Sequence, residues 1–186
     1  MKKLAVLLAF VVLLAGCSGS NAQMDRVLAL RSKLLQGKGC RFDAVITADY
    51  GKNLYEFTLQ CTADEKGNLE FTVIQPESIA GISGRISAQG GALTFDDQAL
   101  AFDLLAEGQF SPVSAPWIFL KTIRSGYIRA CGVDDEYLLA NMEDSYADDA
   151  LQLDVWLGQG DLPIRGEILY AGRRCLSMDV KNFQIL

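Results

Sequence analysis

The 186-residue chain has no histidine. That removes Ser-His and Cys-His nucleophile activation and every histidine-ligated metal site. It also has no basic block: 17 Lys+Arg stand against 23 Asp+Glu, a net charge of −6. Phosphate contacts need clustered Lys and Arg, so nucleic acid is not expected as a partner. None of the five cysteines falls in a Cys-x-x-Cys pair, so zinc-ribbon spacing is missing. Internal repeats, low-complexity tracts and a second-domain linker are missing as well. What remains is 50% hydrophobic and 22% charged, which does not fit disorder, at a length that suits one domain.

The longest apolar run, Leu4 to Ala15, is 12 residues. A membrane-spanning helix needs about 20, so this run reads as the core of a signal peptide behind Lys2 and Lys3. It ends in Leu14-Ala15-Gly16-Cys17, which matches the bacterial lipobox. That motif implies removal of residues 1–16, diacylation of the Cys17 thiol and acylation of the new N-terminus. Two or three acyl chains anchor stably where one is marginal. Loss of Lys2 and Lys3 leaves 15 basic against 23 acidic residues, net −8, in a mature chain of 170 residues. Residues 17–23 read as the lipidated cysteine and a polar, flexible tether. In a host with two membranes, Ser18 rather than Asp fits sorting to the outer membrane.

Four cysteines remain in the mature domain: Cys40, Cys61, Cys131 and Cys175. Outside the cytoplasm disulfides persist. Residues 41–48 and 54–61 read as a hairpin around Tyr50-Gly51. A two-residue turn there sets Ile46 opposite Tyr55, Ala44 opposite Phe57, Phe42 opposite Leu59 and Cys40 opposite Cys61, all on one face. The expected bridges are therefore Cys40–Cys61 and, by elimination, Cys131–Cys175. Free buried thiols and a metal site are the alternatives.

The spacing of Val27, Leu28, Leu30, Leu34 and Leu35 predicts a helix over 24–36, closed by Gly37. Strands are expected at 69–74, 79–88, 92–95, 127–131, 136–142, 151–157, 162–170 and 174–185. The segment 99–105 is ambiguous between strand and helix. Pro112 and Pro116 mark a break, and Val113, Trp117, Leu120 and Arg124 predict a short helix over 112–125. Nine or ten strands with two helices make an α+β fold dominated by one large antiparallel sheet.

A lipobox, an N-terminal helix and a long antiparallel meander interrupted once by a helix resemble the LolA/LolB-like family. Phe71-Thr72-Val73-Ile74-Gln75-Pro76-Glu77-Ser78-Ile79 is similar to that family's strand ending in Pro. Leu162 to Tyr170 followed by Met178 to Phe183 is similar to its C-terminal hairpin. The resemblance spans about residues 24–186 and implies an unclosed β-barrel-like sheet whose concave face is covered by the helices. It implies an apolar or acylated ligand between sheet and helices, held by Phe42, Ile46, Tyr55, Phe57, Leu59, Phe71 and Val73, with Trp117, Ile118 and Leu120 from the insertion. Plain core packing is the competing role for the same residues.

Other chemistry finds little support. Asp134, Asp135, Glu136, Glu143, Asp144, Asp148 and Asp149 are dense enough for calcium but lack the Asp-x-Asp-x-Asp-Gly loop, so a solvated acidic loop is expected. Paired carboxylates for glycan hydrolysis are unspecific in an acidic chain. Gly81-Ile82-Ser83-Gly84 is not Gly-x-Ser-x-Gly, and Gly158-Gln159-Gly160 lacks strand–helix context. The expectation is a non-enzymatic envelope lipoprotein, with no cofactor and no metal, that binds or passes on an apolar ligand. The alternative is a lipoprotein that activates, localises or senses another envelope protein, such as a cell-wall or spore-cortex amidase.

Overall fold

The computed structural model describes residues 19–186 apart from 50, 52, 96, 97, 103, 104, 107 and 108. The leader, Cys17 and the turn residue Tyr50 lie outside the described residues. Helix α1 (Gly19–Gln36) is followed by β1 (Gly39–Asp49), β2 (Leu54–Asp64), β3 (Leu69–Gln75), β4 (Ser83–Ser87), β5 (Gly90–Phe95) and β6 (Gln98–Phe102). Two short strands, β7 (Leu105–Ala106) and β8 (Gln109–Phe110), pair with each other. Helix α2 (Ala115–Ser125) then precedes β9 (Tyr127–Asp134), β10 (Tyr137–Glu143), β11 (Gln152–Leu157), β12 (Pro163–Tyr170) and β13 (Arg173–Ile185).

Eleven of these strands form one antiparallel sheet in the order β6-β5-β4-β3-β2-β1-β13-β12-β11-β10-β9. The two halves of the chain join where β1 pairs with β13. The sheet does not close on itself: β6 and β9 are its edges. An unclosed antiparallel sheet with an N-terminal helix and one short inserted helix is the architecture the resemblance implies.

Alternation builds the inner face. Along β1 the even positions Cys40, Phe42, Ala44, Ile46 and Ala48 are buried, and along β2 the odd positions Leu59, Cys61 and Ala63 are. Side chains of a strand alternate between faces, so each strand gives one apolar row to the same interior. Val27, Leu30 and Leu34 of α1 pack onto it at helical spacing. Helix α2 goes deeper: eight of its eleven residues are buried. Gly39 is required where β1 starts, because it has φ +139° and a Cβ there would lie 2.0 Å from the Ala63 carbonyl oxygen.

Four sequence expectations are corrected. Helix α1 begins at Gly19, five residues before the expected start at Met24. The segment 79–88 is a 3-10 turn at Glu77–Ile79 and then the shorter β4, divided by Gly81 at φ +88°. The β1–β2 register is moved by two residues: Asp49 pairs with Leu54, Ile46 with Phe57, Ala44 with Leu59 and Phe42 with Cys61. Asp49 Oδ1 accepts the Gly51 amide at 2.7 Å and holds a longer turn than the expected one. Cys40 therefore faces Ala63, not Cys61.

The fourth correction follows for the disulfides. Cys40, Cys61, Cys131 and Cys175 are free thiols. Cys131 on β9 and Cys175 on β13 have three strands between them, about 19 Å along the sheet at ~4.8 Å per strand. A bridge needs Cα atoms within about 7 Å.

Candidate functional site

Seven of the ten expected ligand residues are no more than 4% exposed: Phe42, Ile46, Leu59, Phe71, Val73, Ile118 and Leu120. They belong to one hydrophobic cluster with α1 and α2. Phe42 stacks on Phe183 at 5.4 Å between ring centroids. Trp117 lies at the cluster's margin, and Phe57 is half-buried against it. Tyr55 is 46% exposed. The structure thus brings nine of the ten onto one packed interior and leaves Tyr55 outside it.

A crevice opens where that interior meets the surface. It holds about 600 Å³ between the end of α1, one flank of α2 and two turns at the rim of the sheet. Leu35 comes from α1, and Trp117, Lys121, Arg124 and Ser125 come from α2. Lys66, Gly67 and Asn68 come from the β2–β3 turn, and Ala88 and Gln89 from the β4–β5 turn. Trp117, Lys121 and Arg124 stand at i, i+4 and i+7, one stripe of a helix. Lys121 Nζ lies 5.5 Å from the Trp117 ring centroid.

Local chemistry fixes each wall. Asp64 shapes the β2–β3 turn: its Oδ1 accepts the amides of Lys66 and Asn68, each at 2.9 Å, and its Oδ2 accepts Asn68 Nδ2 at 2.7 Å. Partial burial raises the Asp64 carboxyl, but these donors and the Arg85 charge outweigh it and hold the group below the ordinary carboxylate range. Gly67 supplies the turn's positive φ of +83°. Arg124 Nη1 donates to the Leu34 carbonyl at 3.2 Å and its Nη2 to the Glu65 carbonyl at 2.6 Å. One guanidinium thus ties α2 to the end of α1 and to the turn.

Three further concavities lie on the outer face of the sheet. One of about 360 Å³ is lined by Glu70, Thr72, Ser83 and Arg85 among others. One of about 380 Å³ contains Arg41, Asp43 and Asn182, and one of about 480 Å³ contains Asp43, Glu56 and Lys181. Each mixes acid and base. Three of the clustered acidic residues at the ends of β9 and β10 are engaged locally. Asp134 accepts the Trp156 indole N–H at 2.7 Å, Asp144 accepts the Leu151 amide at 2.9 Å, and Glu143 faces Arg129 at 3.4 Å.

Sequence reasoning marked Trp117 and missed Leu35, Lys66 and Lys121. The α2 stripe was a usable signal: on a helix buried nearly all round, Lys121, Arg124 and Ser125 are its polar exit. The turn residues carried no comparable mark, because their approach to α2 is purely tertiary.

No family model matches the sequence, and no curated protein does. Solved structures are similar in shape. An uncharacterized conserved protein from Thermus thermophilus has 11% identity and a TM-score of 0.48, over 89% of this chain and 86% of that one. A LolA superfamily protein from Nitrosomonas europaea has 10% identity and a TM-score of 0.45, over 84% and 91%. Lipoprotein LppX from Mycobacterium tuberculosis has 10% identity and a TM-score of 0.42, over 87% and 93%. Among the described residues no helix is long and apolar enough to cross a membrane.

Proposed function

We propose that the chain is a non-enzymatic envelope lipoprotein, held outside the cytoplasm by acylated Cys17, that receives an apolar or acylated ligand in the crevice beside Trp117. The lipobox supports the anchor. The crevice supports the ligand: Leu35, 53% exposed, and the margin of Trp117 share an open recess beside the buried cluster. Each methylene moved from water into such a recess contributes about 0.8 kcal/mol. Gly19 and Leu35 are about 24 Å apart along α1 at 1.5 Å per residue, so the crevice is at the far end of the helix from the anchor.

The test is native mass spectrometry of the mature chain with Cys17→Ser, purified without detergent and then offered lipid. A discrete lipid adduct that is lost in Leu35→Asp, a surface change that leaves the core intact, supports the reading. An adduct that persists unchanged in Leu35→Asp refutes the crevice as its site.

A second reading is favoured by the burial of most of the expected ligand residues. With Phe42, Ile46 and Leu59 buried within the protein's own hydrophobic cluster, the fold suits an interaction lipoprotein that activates, localises or senses an envelope protein. Edge strand β9, with Val133 61% exposed, is the segment a partner strand would join. A clean apo mass that ignores added lipid would favour it.

A further inference from the structure

The charge around the crevice runs against the charge of the chain. The protein is net −6, yet the ionisable groups lining this recess are Lys66, Lys121 and Arg124, with no carboxylate among its described lining residues. The outer-face concavities each include a carboxylate. Among the described residues Lys66 forms no ion pair, and Arg124 is held by two backbone carbonyls rather than by an acid. Lys121 shares its charge with Asp144 at a loose 3.8 Å. Backbone carbonyls fix a guanidinium without cancelling its unit charge, so the lining sets positive charge beside an indole and an exposed leucine, while Asp64 and Asp144, which touch Lys66 and Lys121, are not among the lining residues.

We infer that the crevice selects a ligand with an anionic head, a phosphate or carboxylate group, joined to an apolar part that lies against Trp117 and Leu35. This rests on the crevice being the ligand site, as proposed above. The head meets the ammonium groups of the lysines, which line the open recess. Arg124 sets the field but also holds two elements together, so the lysines are the residues to vary.

The experiment uses the mature chain with Cys17→Ser and three probes: myristoyl-lysophosphatidylglycerol, myristoyl-lysophosphatidylcholine and glycerol phosphate. Binding is followed by calorimetry below the micellar concentration. The anionic lysolipid should bind about tenfold tighter than the choline one at low salt, and the advantage should shrink at about 0.5 M NaCl as screening sets in. Lys66→Gln and Lys121→Gln should each weaken the anionic probe about three- to fivefold, the range of partly exposed charge pairs, and weaken the choline probe less, because its phosphate is offset by its own cation. Equal binding of both lysolipids, unmoved by either lysine variant, would overturn the anionic head while leaving the crevice reading intact. Glycerol phosphate binding as tightly as the anionic lysolipid would show a soluble anion as the source and overturn the apolar half. Binding of none of the three would overturn both readings, and melting curves of each variant separate misfolding from lost affinity.

Discussion

Arg31 and Arg124 serve the ends of each other's helices. Arg31, on α1, donates from Nε to the Ile123 carbonyl at 2.6 Å and from Nη2 to the Gly126 carbonyl at 2.7 Å, at the end of α2. Arg124, on α2, donates to the Leu34 carbonyl in the last turn of α1. The last carbonyls of a helix lack intrahelical donors and carry its negative pole, so a cation there satisfies both needs. The pair fixes α1 and α2 as one unit over the sheet and sets the width of the crevice. Arg31→Met is expected to lower stability by about 1.5–3 kcal/mol, the range for hydrogen bonds from a charged donor. Arg31→Lys should recover only part, because a single ammonium does not reproduce the planar fork. Urea midpoints at unchanged slope measure both, and a midpoint shift near zero in Arg31→Met would refute the argument.

Helix α2 sits deep because β12 makes room for it. A Cβ on Gly166 would stand 2.7 Å from Cδ2 and Cε2 of Phe119, a ring with 0% exposure. Gly166→Ala should therefore destabilise by about 1–3 kcal/mol through overpacking. Phe119→Leu removes the atoms that clash, so the double variant should be more stable than the two single costs predict, with a coupling of about 1 kcal/mol. Strictly additive costs would mean the close approach is not what Gly166 is for.

Fold class and sheet face were legible from alternation; register was not. Moving β2 by two residues against β1 keeps Leu59, Cys61 and Phe57 on the same face, so the apolar pattern is blind to any even shift. The turn decides, and its length depends on the Asp49 side chain binding the Gly51 amide. The Cys40–Cys61 bridge was inferred from the two-residue turn and fell with it. The expected ligand residues came from the family resemblance laid over the apolar face and the inserted helix, and an apolar pattern does not distinguish a lined cavity from a packed core. The crevice combines Leu35, Lys66, Gln89 and Lys121 from four separate segments, a meeting that no local spacing encodes.

The thiols give a chemical test of the corrected register. Burial pushes the Cys40 thiol up to about 12, against a smaller opposing pull from Arg124. Burial, with Cys40 and Asp43 nearby, raises Cys61 further. The thiolate is the reactive form, so both should resist a water-soluble maleimide at pH ~8 in the folded protein. In a chain carrying Cys17→Ser, Cys131 and Cys175 are the half-buried pair and should be labelled first. Guanidinium should expose all four to labelling. A folded sample whose mass shows oxidised Cys40 and Cys61 would contradict the structure.

Asp64 makes one wall of the crevice sensitive to acid. Its carboxylate accepts the amides of Lys66 and Asn68, and its folded pKa lies below the ordinary value. For a depressed carboxyl, the linked stability is present above the unfolded value of about 3.9 and is lost as pH falls through the lower folded value. The window is therefore below about pH 4, and nothing is expected from Asp64 between pH ~5 and pH ~8. Hydrogen exchange at the Lys66 and Asn68 amides reads the turn directly. After correction for intrinsic rates, protection should be constant above about pH 5 and fall toward pH ~3 as the acceptor is protonated. Asp64→Asn keeps an acceptor oxygen but not the charge, so its protection should be lower at neutral pH and flat across the same range. Wild-type protection at these two amides that does not change down to pH ~3 would mean the turn is held by Gly67 and its backbone alone.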